Sequence, residues 1–289
     1  MTIKQMGLTV GMTREAIMKA WIKAVVAVVL STVFSLSAIP QALAWELQWY
    51  GQSAFKITTA AGKIILLDPF ITKNPKTPEA LKDLAKLGKV DLILLTHGHG
   101  DHIGDTGKIA EMTGAKVGMN ADLGQTLAAL GMVPLKQIIR FNKGGSIEPM
   151  DGITVTMVHA EHSSEVVHRD PVSKEKRVYP GGEPAGYIIA LESGYKIYHA
   201  GDTGVFGDMK FINDYYQPDL VLLPIGGHFT MDPVHAAYAL THLVKTKNVI
   251  PMHYGTFPPL TGTPEKLKEA LGSSASRVIV MTPGEKRTF

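Results

Sequence analysis

Residues 97 to 102 read His-Gly-His-Gly-Asp-His. Three imidazoles and a carboxylate crowded together can bind a cation. In a short turn, His97 and His99 can point one way and Asp101 and His102 another, and Gly98 and Gly100 let the backbone make that turn. No single turn can fill two metal sites, so distant residues must complete them. Asp202, in His-Ala-Gly-Asp-Thr-Gly, can put one oxygen on each of two metals and is the natural bridge. His253, in Pro-Met-His-Tyr-Gly, follows an apolar run. One further histidine is needed after the run Thr154 to Val158, and His159 and His162 both qualify by position. The chain has no cysteine, so the ligands are N and O only. Such a set suits zinc, manganese or iron(II), with zinc the first expectation. The implied chemistry is hydrolysis. Two close cations lower the pKa of a bridging water toward ~7, and the resulting hydroxide attacks a carbonyl or phosphoryl centre. Asp101 and Asp202 then belong to the catalytic centre. His228, in Gly-Gly-His-Phe, is the candidate for touching substrate or stabilising an oxyanion. Ser163, Ser164 and Thr256 flank the ligands and are expected to fix loops.

The elements that must position these groups are readable in outline. Leu47 to Trp49, Ala54 to Thr59 and Lys63 to Leu67 read as strands, the last two joined by a turn at Ala60-Ala61-Gly62. Pro75 to Leu87 reads as a loop leading into a helix that starts near Thr77. Val90 to Leu95 is continuously apolar and fits a strand buried on both faces, with the metal motif directly after it. Ser146 to Met150 and Thr154 to Val158 look like a hairpin turning at Asp151-Gly152. The second half repeats the pattern. Tyr187 to Leu191 and Tyr195 to His199 flank the turn Glu192-Ser193-Gly194. Leu220 to Leu223 and Val249 to Met252 are buried strands, with a helix over Pro233 to Lys245 between them. Two rounds of strands followed by strand–helix units predict two sheets packed face to face with helices outside. Most of the eleven histidines fall just after a strand, at the edge where α/β sheets carry ligands. Residues 168 to 184 are polar, rich in Pro, Gly and charge, and read as one long loop with a functional role or mobility.

The motifs HGHGDH, HSS, GDTG and PMHYG, in this order, resemble the metallo-β-lactamase superfamily. Together with LPIGGHFTMDP at 223 to 233, they resemble its branch of bacterial metal-dependent hydrolases related to ascorbate-6-phosphate lactonase. The resemblance covers essentially all of Trp45 to Phe289. It implies an αββα four-layer sandwich in the α/β class. It also implies that the third histidine ligand is the one before Ser-Ser, His162. One metal then takes His97, His99 and His162, the other takes Asp101, His102 and His253, and Asp202 bridges. Asp68, ending Lys-Ile-Ile-Leu-Leu-Asp, matches the family's early Asp, which orients the metal loop. His199 is expected to be buried behind the ligands. His168, His235 and His242 are expected at the surface or on helices. The histidine at 99 argues against the di-iron flavoprotein relatives, which carry Glu there. Manganese stands close behind zinc because the related lactonases resemble manganese enzymes.

The first 44 residues read differently. Lys4, Arg14, Lys19 and Lys23 face one acid, Glu15. An uncharged run follows from Ala24 to Ala38, then Pro40 and Ala42-Leu43-Ala44. This is the pattern of a secretory signal peptide, and the apolar run is too short to span ~30 Å of hydrocarbon comfortably. The expectation is cleavage after Ala44, a single hydrolase domain over 45 to 289, and export to the periplasm or medium with no stable membrane association. Removing those residues from totals of 29 basic and 26 acidic leaves the remainder formally neutral. Nothing in a neutral surface suggests a nucleic-acid partner, which would need a basic patch or stripe, and none is expected. The partner expected is a small molecule, an ester, lactone or phosphodiester. A periplasmic β-lactamase is the alternative, opposed by Asp202, since antibiotic-degrading enzymes lack a bridging Asp there. A nuclease and an inactive metal-binding protein are weaker alternatives.

Overall fold

Apolar runs that alternate between two buried faces can only be satisfied in layers, and this chain builds four. The structure, a computed structural model, describes Met18 and residues 44–289. The expected leader thus lies almost wholly outside the described residues. Among those described, no helix is long and apolar enough to cross a membrane.

Six strands open the domain: β1 (Glu46–Gly51), β2 (Ala54–Thr58), β3 (Ile64–Leu67), β4 (Leu92–Leu94), β5 (Lys116–Asn120) and β6 (Ile138–Phe141). The hairpin β7 (Ser146–Met150) and β8 (Ile153–His159) starts a second sheet. A two-stranded ribbon, β9 (Glu165–Arg169) and β10 (Lys176–Pro180), stands apart from it. The second sheet continues with β11 (Ala185–Ala190), β12 (Lys196–His199), β13 (Leu220–Pro224) and β14 (Asn248–Met252). The last strand, β15 (Lys286–Thr288), returns to pair with β1, so the first sheet runs β15-β1-β2-β3-β4-β5-β6 and the second β14-β13-β12-β11-β8-β7.

The period of two in each strand sorts its side chains. In β3, Ile65 and Leu67 point between the sheets, where Trp49, Phe55, Tyr187 and Leu222 join them. Leu66 points outward, onto a second cluster with Ile109, Leu123 and Leu127 from the helices Thr106–Thr113 and Ala121–Ala129. β13 does the same on the other side. Leu220 and Leu222 face the sandwich, whereas Val221 and Leu223 pack under Ile212, Ala236, Leu240 and Leu267 from the helices Met209–Tyr216, Pro233–His242 and Pro264–Leu271. This is the expected αββα sandwich.

Strand direction decides where a site can form. β3, β4, β5 and β6 are mutually parallel, as are β12, β13 and β14. β8 is antiparallel to β11, and β11 to β12, so β8 also runs with β12. The carboxyl ends of β3, β4, β8, β12 and β14, together with the β1–β2 turn, therefore lie along one edge of the sandwich.

Two local expectations need correction. The helix expected to begin near Thr77 is instead two short 3-10 turns, Glu79–Leu81 and Leu84–Leu87. Asp83 accepts a hydrogen bond from Ala85 N (3.1 Å), restarting the chain at its middle. Residues 168 to 184 are not one loop. His168 and Arg169 close β9 and Lys176 to Pro180 form β10, a ribbon paired in register from Glu165–Pro180 to Arg169–Lys176 and joined by the turn between them. Its valines 167 and 178 are exposed, which hid its strand character in a segment crowded with charge.

Leu222 has no exposed surface and fills the space between the sheets. Leu222→Ala should cost about 2–5 kcal/mol of stability, read as a lower midpoint in urea unfolding. A loss under 1 kcal/mol would mean that the inter-sheet core is loosely packed.

Candidate metal centre

β4 ends at Leu94, and the chain then turns through Thr96 to Asp105 without leaving the sheet edge. The turn is pinned from below by Asp68, at the end of β3. Asp68 is fully buried and sits at φ 41°, a costly conformation for a non-glycine residue. Its carboxylate accepts from Thr96 N (2.8 Å), Thr96 Oγ1 (2.7 Å) and His102 Nδ1 (2.8 Å). The last bond fixes the His102 tautomer and turns Nε2 toward the pocket. Gly98 is needed for close approach, because a Cβ there would lie 2.9 Å from the carbonyl oxygen of Glu165. Gly98 N also donates to Ser164 Oγ (3.0 Å), which in turn donates to Gly181 O (3.0 Å), so Ser164 ties the turn to the end of the ribbon where its two strands meet the sandwich edge.

The sequence-derived candidates converge. His97 Nε2 lies 2.8 Å from His99 Nδ1, and His162 completes a group of three whose ligand atoms all lie within 4.8 Å of one another. Asp101, His102 and His253 make a second such group, and His97, His102 and Asp202 a third. One oxygen, Asp202 Oδ2, stands among the Nε2 atoms of His253 (2.8 Å), His102 (3.3 Å) and His162 (3.7 Å). It thus touches members of both histidine groups. His159 is turned away, 3.2 Å from Lys143 Nζ and edge-on to Phe206. Of the two histidines after β8, only His162 reaches the cluster.

The electrostatics follow from burial. Burial opposes charge on His102, but Asp202, Asp68 and Asp101 outweigh it and hold its pKa well above the usual histidine value. His253 is likewise pushed up to about 9, Asp202 outweighing burial. Burial would raise the Asp202 carboxyl, but His102 and His253 hold it well below the usual carboxylate range. On the other two rings burial prevails over the pull of Asp202 and the sign reverses. Burial, reinforced by His102, pushes His97 well down, and burial lowers His162. His102 Nε2 and both ring nitrogens of His253 are buried without a hydrogen-bond partner, although His253 Nε2 is close to Asp202. Buried nitrogens without partners, facing carboxylates, are the donor arrangement that a divalent cation satisfies, and imidazole with carboxylate suits zinc, manganese or iron.

Other positions behave less uniformly. His199 is buried behind the site. Its Nε2 donates to Ser53 O (3.1 Å) and its Nδ1 accepts from Gly201 N (3.2 Å), so the ring is neutral and braces the turn carrying Asp202. Thr256 is buried, and Ser163 lies 3.5 Å from His99 Nε2. His235 and His242 are exposed on the helix Pro233–His242, and His168 sits on the ribbon. His228 is not brought to the cluster. It is exposed, at φ 62°, and lines a neighbouring cavity with Asp232 and Lys266. The left-handed backbone at His228 swings its ring away and turns the next residue, Phe229, toward the cluster pocket.

Several functional neighbours escaped the sequence reading. Gln52, at φ 52° in the β1–β2 turn, donates from Nε2 to Asp101 Oδ2 (2.8 Å), and its carbonyl accepts from His253 N (3.1 Å). Glu165 Oε2 lies 3.0 Å from His99 Nε2 and holds that ring with Nδ1 inward. A tight polar Gly-Gln-Ser break between two apolar strands was the one available signal for Gln52. The cluster opens into a cavity of about 690 Å³, walled by Phe70, Phe229, Phe257 and Leu260 and bordered by Lys73, Ser163 and Glu165.

Residues 63–254 match the family described as Beta-lactamase superfamily domain. A UPF0173 metal-dependent hydrolase from Cupriavidus necator is 53% identical over 247 residues, covering 84% of this chain and 86% of the relative. A second, from Polaromonas, is 52% identical over 244 residues, covering 84% and 89%. Among solved structures, a metallo hydrolase from the archaeon Ignicoccus hospitalis superposes with a TM-score of 0.72 at 39% identity, covering 85% of this chain and 98% of that one.

Asp202→Asn keeps the shape of the side chain and removes its charge. Elemental analysis of the purified variant should show less metal per chain than the wild type, with the fold intact by circular dichroism. Asp68→Ala should weaken metal binding about 10–100-fold by freeing the His102 ring. Unchanged metal content in Asp202→Asn would remove Asp202 from the ligand set.

Proposed function

The chain belongs to the β-lactamase superfamily and to its UPF0173 metal-dependent hydrolases, and on that premise we propose that it uses two metal ions to hydrolyse a small-molecule ester, lactone or phosphodiester. The observation that carries this reading is Asp202 Oδ2, one buried carboxylate oxygen faced by histidines of two separate groups. His97, His99 and His162 would hold one ion and Asp101, His102 and His253 the other, with Asp202 between. Zinc is the favoured metal, with manganese or iron also suited to the donor set. Bound divalent cations supply Lewis acidity, which acidifies water and polarises the oxygen under attack.

The protein's own residues do the rest. Asp68 keeps the proton of His102 on Nδ1, and Glu165 takes that of His99 on Nε2, so each ring offers its other nitrogen inward. Gln52 anchors Asp101 Oδ2 and limits its rotation. Phe70, Phe229, Phe257 and Leu260 exclude water from the walls and leave the substrate's apolar part to be desolvated there. His228 has no part in this scheme.

We also propose export, with the mature chain starting at Trp45. Trp45 is itself built into the sandwich, stacked on Phe289 at 4.7 Å and paired with its backbone at 3.2 and 2.9 Å. N-terminal sequencing of the protein from a periplasmic fraction should begin at Trp45, whereas an intact N-terminus in the cytoplasm would end this proposal.

Zinc- or manganese-loaded protein should hydrolyse at least one class within a panel of lactones, aryl esters and phosphodiesters. A chelator should abolish the activity and added metal restore it. His97→Ala should cut turnover by orders of magnitude. Turnover of β-lactams in preference to the whole panel would move the assignment to a periplasmic β-lactamase, and no turnover with any metal would remove it.

A further inference from the structure

One cation borders the cluster cavity without belonging to the cluster. Lys73 lies exposed in the connection after β3 and borders the same cavity as Asp101, Asp202 and His253. Its backbone is held. Asp105 accepts from Ile71 N (3.0 Å), Thr72 N (2.8 Å) and Thr72 Oγ1 (2.5 Å). On the other side, Asn74 is fully buried, donates to Phe70 O (3.2 Å) and accepts from Lys76 N (2.9 Å). Asp105 in turn closes the metal-binding turn, its own N donating to Pro69 O (2.9 Å). The stretch carrying Phe70 and Lys73 is thereby locked to the residues that would hold the metals.

The held backbone presents a side chain that has no partner among the described residues. Lys63, Lys143 and Lys286 pair with Glu192, Glu183 and Glu46, but no described carboxylate pairs with Lys73. The carboxylates of the cavity are otherwise engaged. Glu165 is taken by His99, and Asp101 and Asp202 face histidines. Lys73 is exposed at the border of this cavity, and an anion entering beside the aromatic walls would be drawn to its unpaired charge.

We propose that the substrates of this pocket carry an anionic group, a carboxylate or a phosphate, on an apolar body, and that Lys73 receives the anion while Phe70, Phe229 and Phe257 receive the body. The inference rests on the hydrolase reading above, because it takes the cavity over the cluster to be the substrate pocket. Lys73 then sets specificity and takes no part in bond breaking. Its anion is a part of the substrate remote from the scissile bond, so its contribution should fall on binding.

The test uses the zinc-loaded protein and three matched ligands: phenylbutyrate, phenylbutyl phosphate and the neutral phenylbutanol. Calorimetric titration of wild type should show at least one anion binding about tenfold tighter than the alcohol, the size of one partly desolvated charge contact. Which anion is preferred tells carboxylate from phosphate. Lys73→Ala should erase most of that preference and Lys73→Arg should retain most of it. If Lys73→Ala keeps the preference, the metals take the anion and the proposal fails. It fails too if wild type shows no preference or binds none of the three. Hydrolysis is read separately on the panel above. A Lys73-dependent preference in a protein that hydrolyses nothing would uphold the anion site and defeat the hydrolase reading, and hydrolysis without any preference would do the reverse.

Discussion

A buried carboxylate with three donors on it organises this protein. Asp68 has no access to water, so its charge is tolerated only if every lone pair that matters finds a proton. Thr96 supplies two and His102 the third. Those three bonds join the end of β3 to the turn after β4 and set the orientation of the first ring to face the pocket. The strained backbone at Asp68 is a cost that this network offsets, and it puts the carboxylate under the turn instead of beside it. The other ligand positions are then reached by strands that happen to end at the same edge, which is a consequence of parallel pairing and not of local sequence.

The same edge shows why so little tolerance is left around the cluster. The metal turn passes so close to β9 that Gly98 cannot carry a side chain, and Ser164 stitches the two backbones together. Gln52 and His253 both sit at positive φ and are joined by a backbone hydrogen bond, so the β1–β2 turn and the end of β14 hold each other in shape. His199 closes the circuit from β12 back to Ser53. Three turns from distant parts of the chain therefore share their strain, and a change in any one is felt as a displacement of ligands held by the others.

What could be read from sequence follows from how local each signal is. The run at 97 to 102 is visible because its four candidate ligands and two glycines are contiguous. The strands and the two-sheet architecture are visible because Ile65, Leu66 and Leu67, like Leu220 to Leu223, are apolar on both faces. His162 could not be separated from His159 by position alone, since the choice depends on how the chain leaves β8, and only the family resemblance named it. His228 lines a neighbouring cavity and Phe229 that of the cluster, because one backbone rotation in a Gly-Gly turn decides whether a ring or its neighbour faces a pocket. The ribbon at Glu165–Pro180 was hidden because its outward valines interrupt a charged segment on both sides. Glu165 and Lys73 carry no local signature, and Gln52 only a polar break between two apolar strands. Their meaning lies in partners from 49 to 66 residues away, or in a cavity that exists only after folding.

Charge balance connects the fold to the chemistry. Asp101 and Asp202 bring two negative charges into a region where water is scarce, and Asp68 adds a third nearby. In the protein alone, positive charge must come from the rings that face them, which is why His102 and His253 hold protons more tightly than free histidine while His97 and His162, where burial prevails over the pull of Asp202, hold them less. A divalent cation serves the same carboxylates from a single point and leaves each ring neutral, with its lone pair engaged. The groups whose burial a cation would relieve are thus Asp101, Asp202 and the unpartnered nitrogens of His102 and His253, which the pinned turns hold together. Metal binding and stability of this edge are therefore one linked equilibrium.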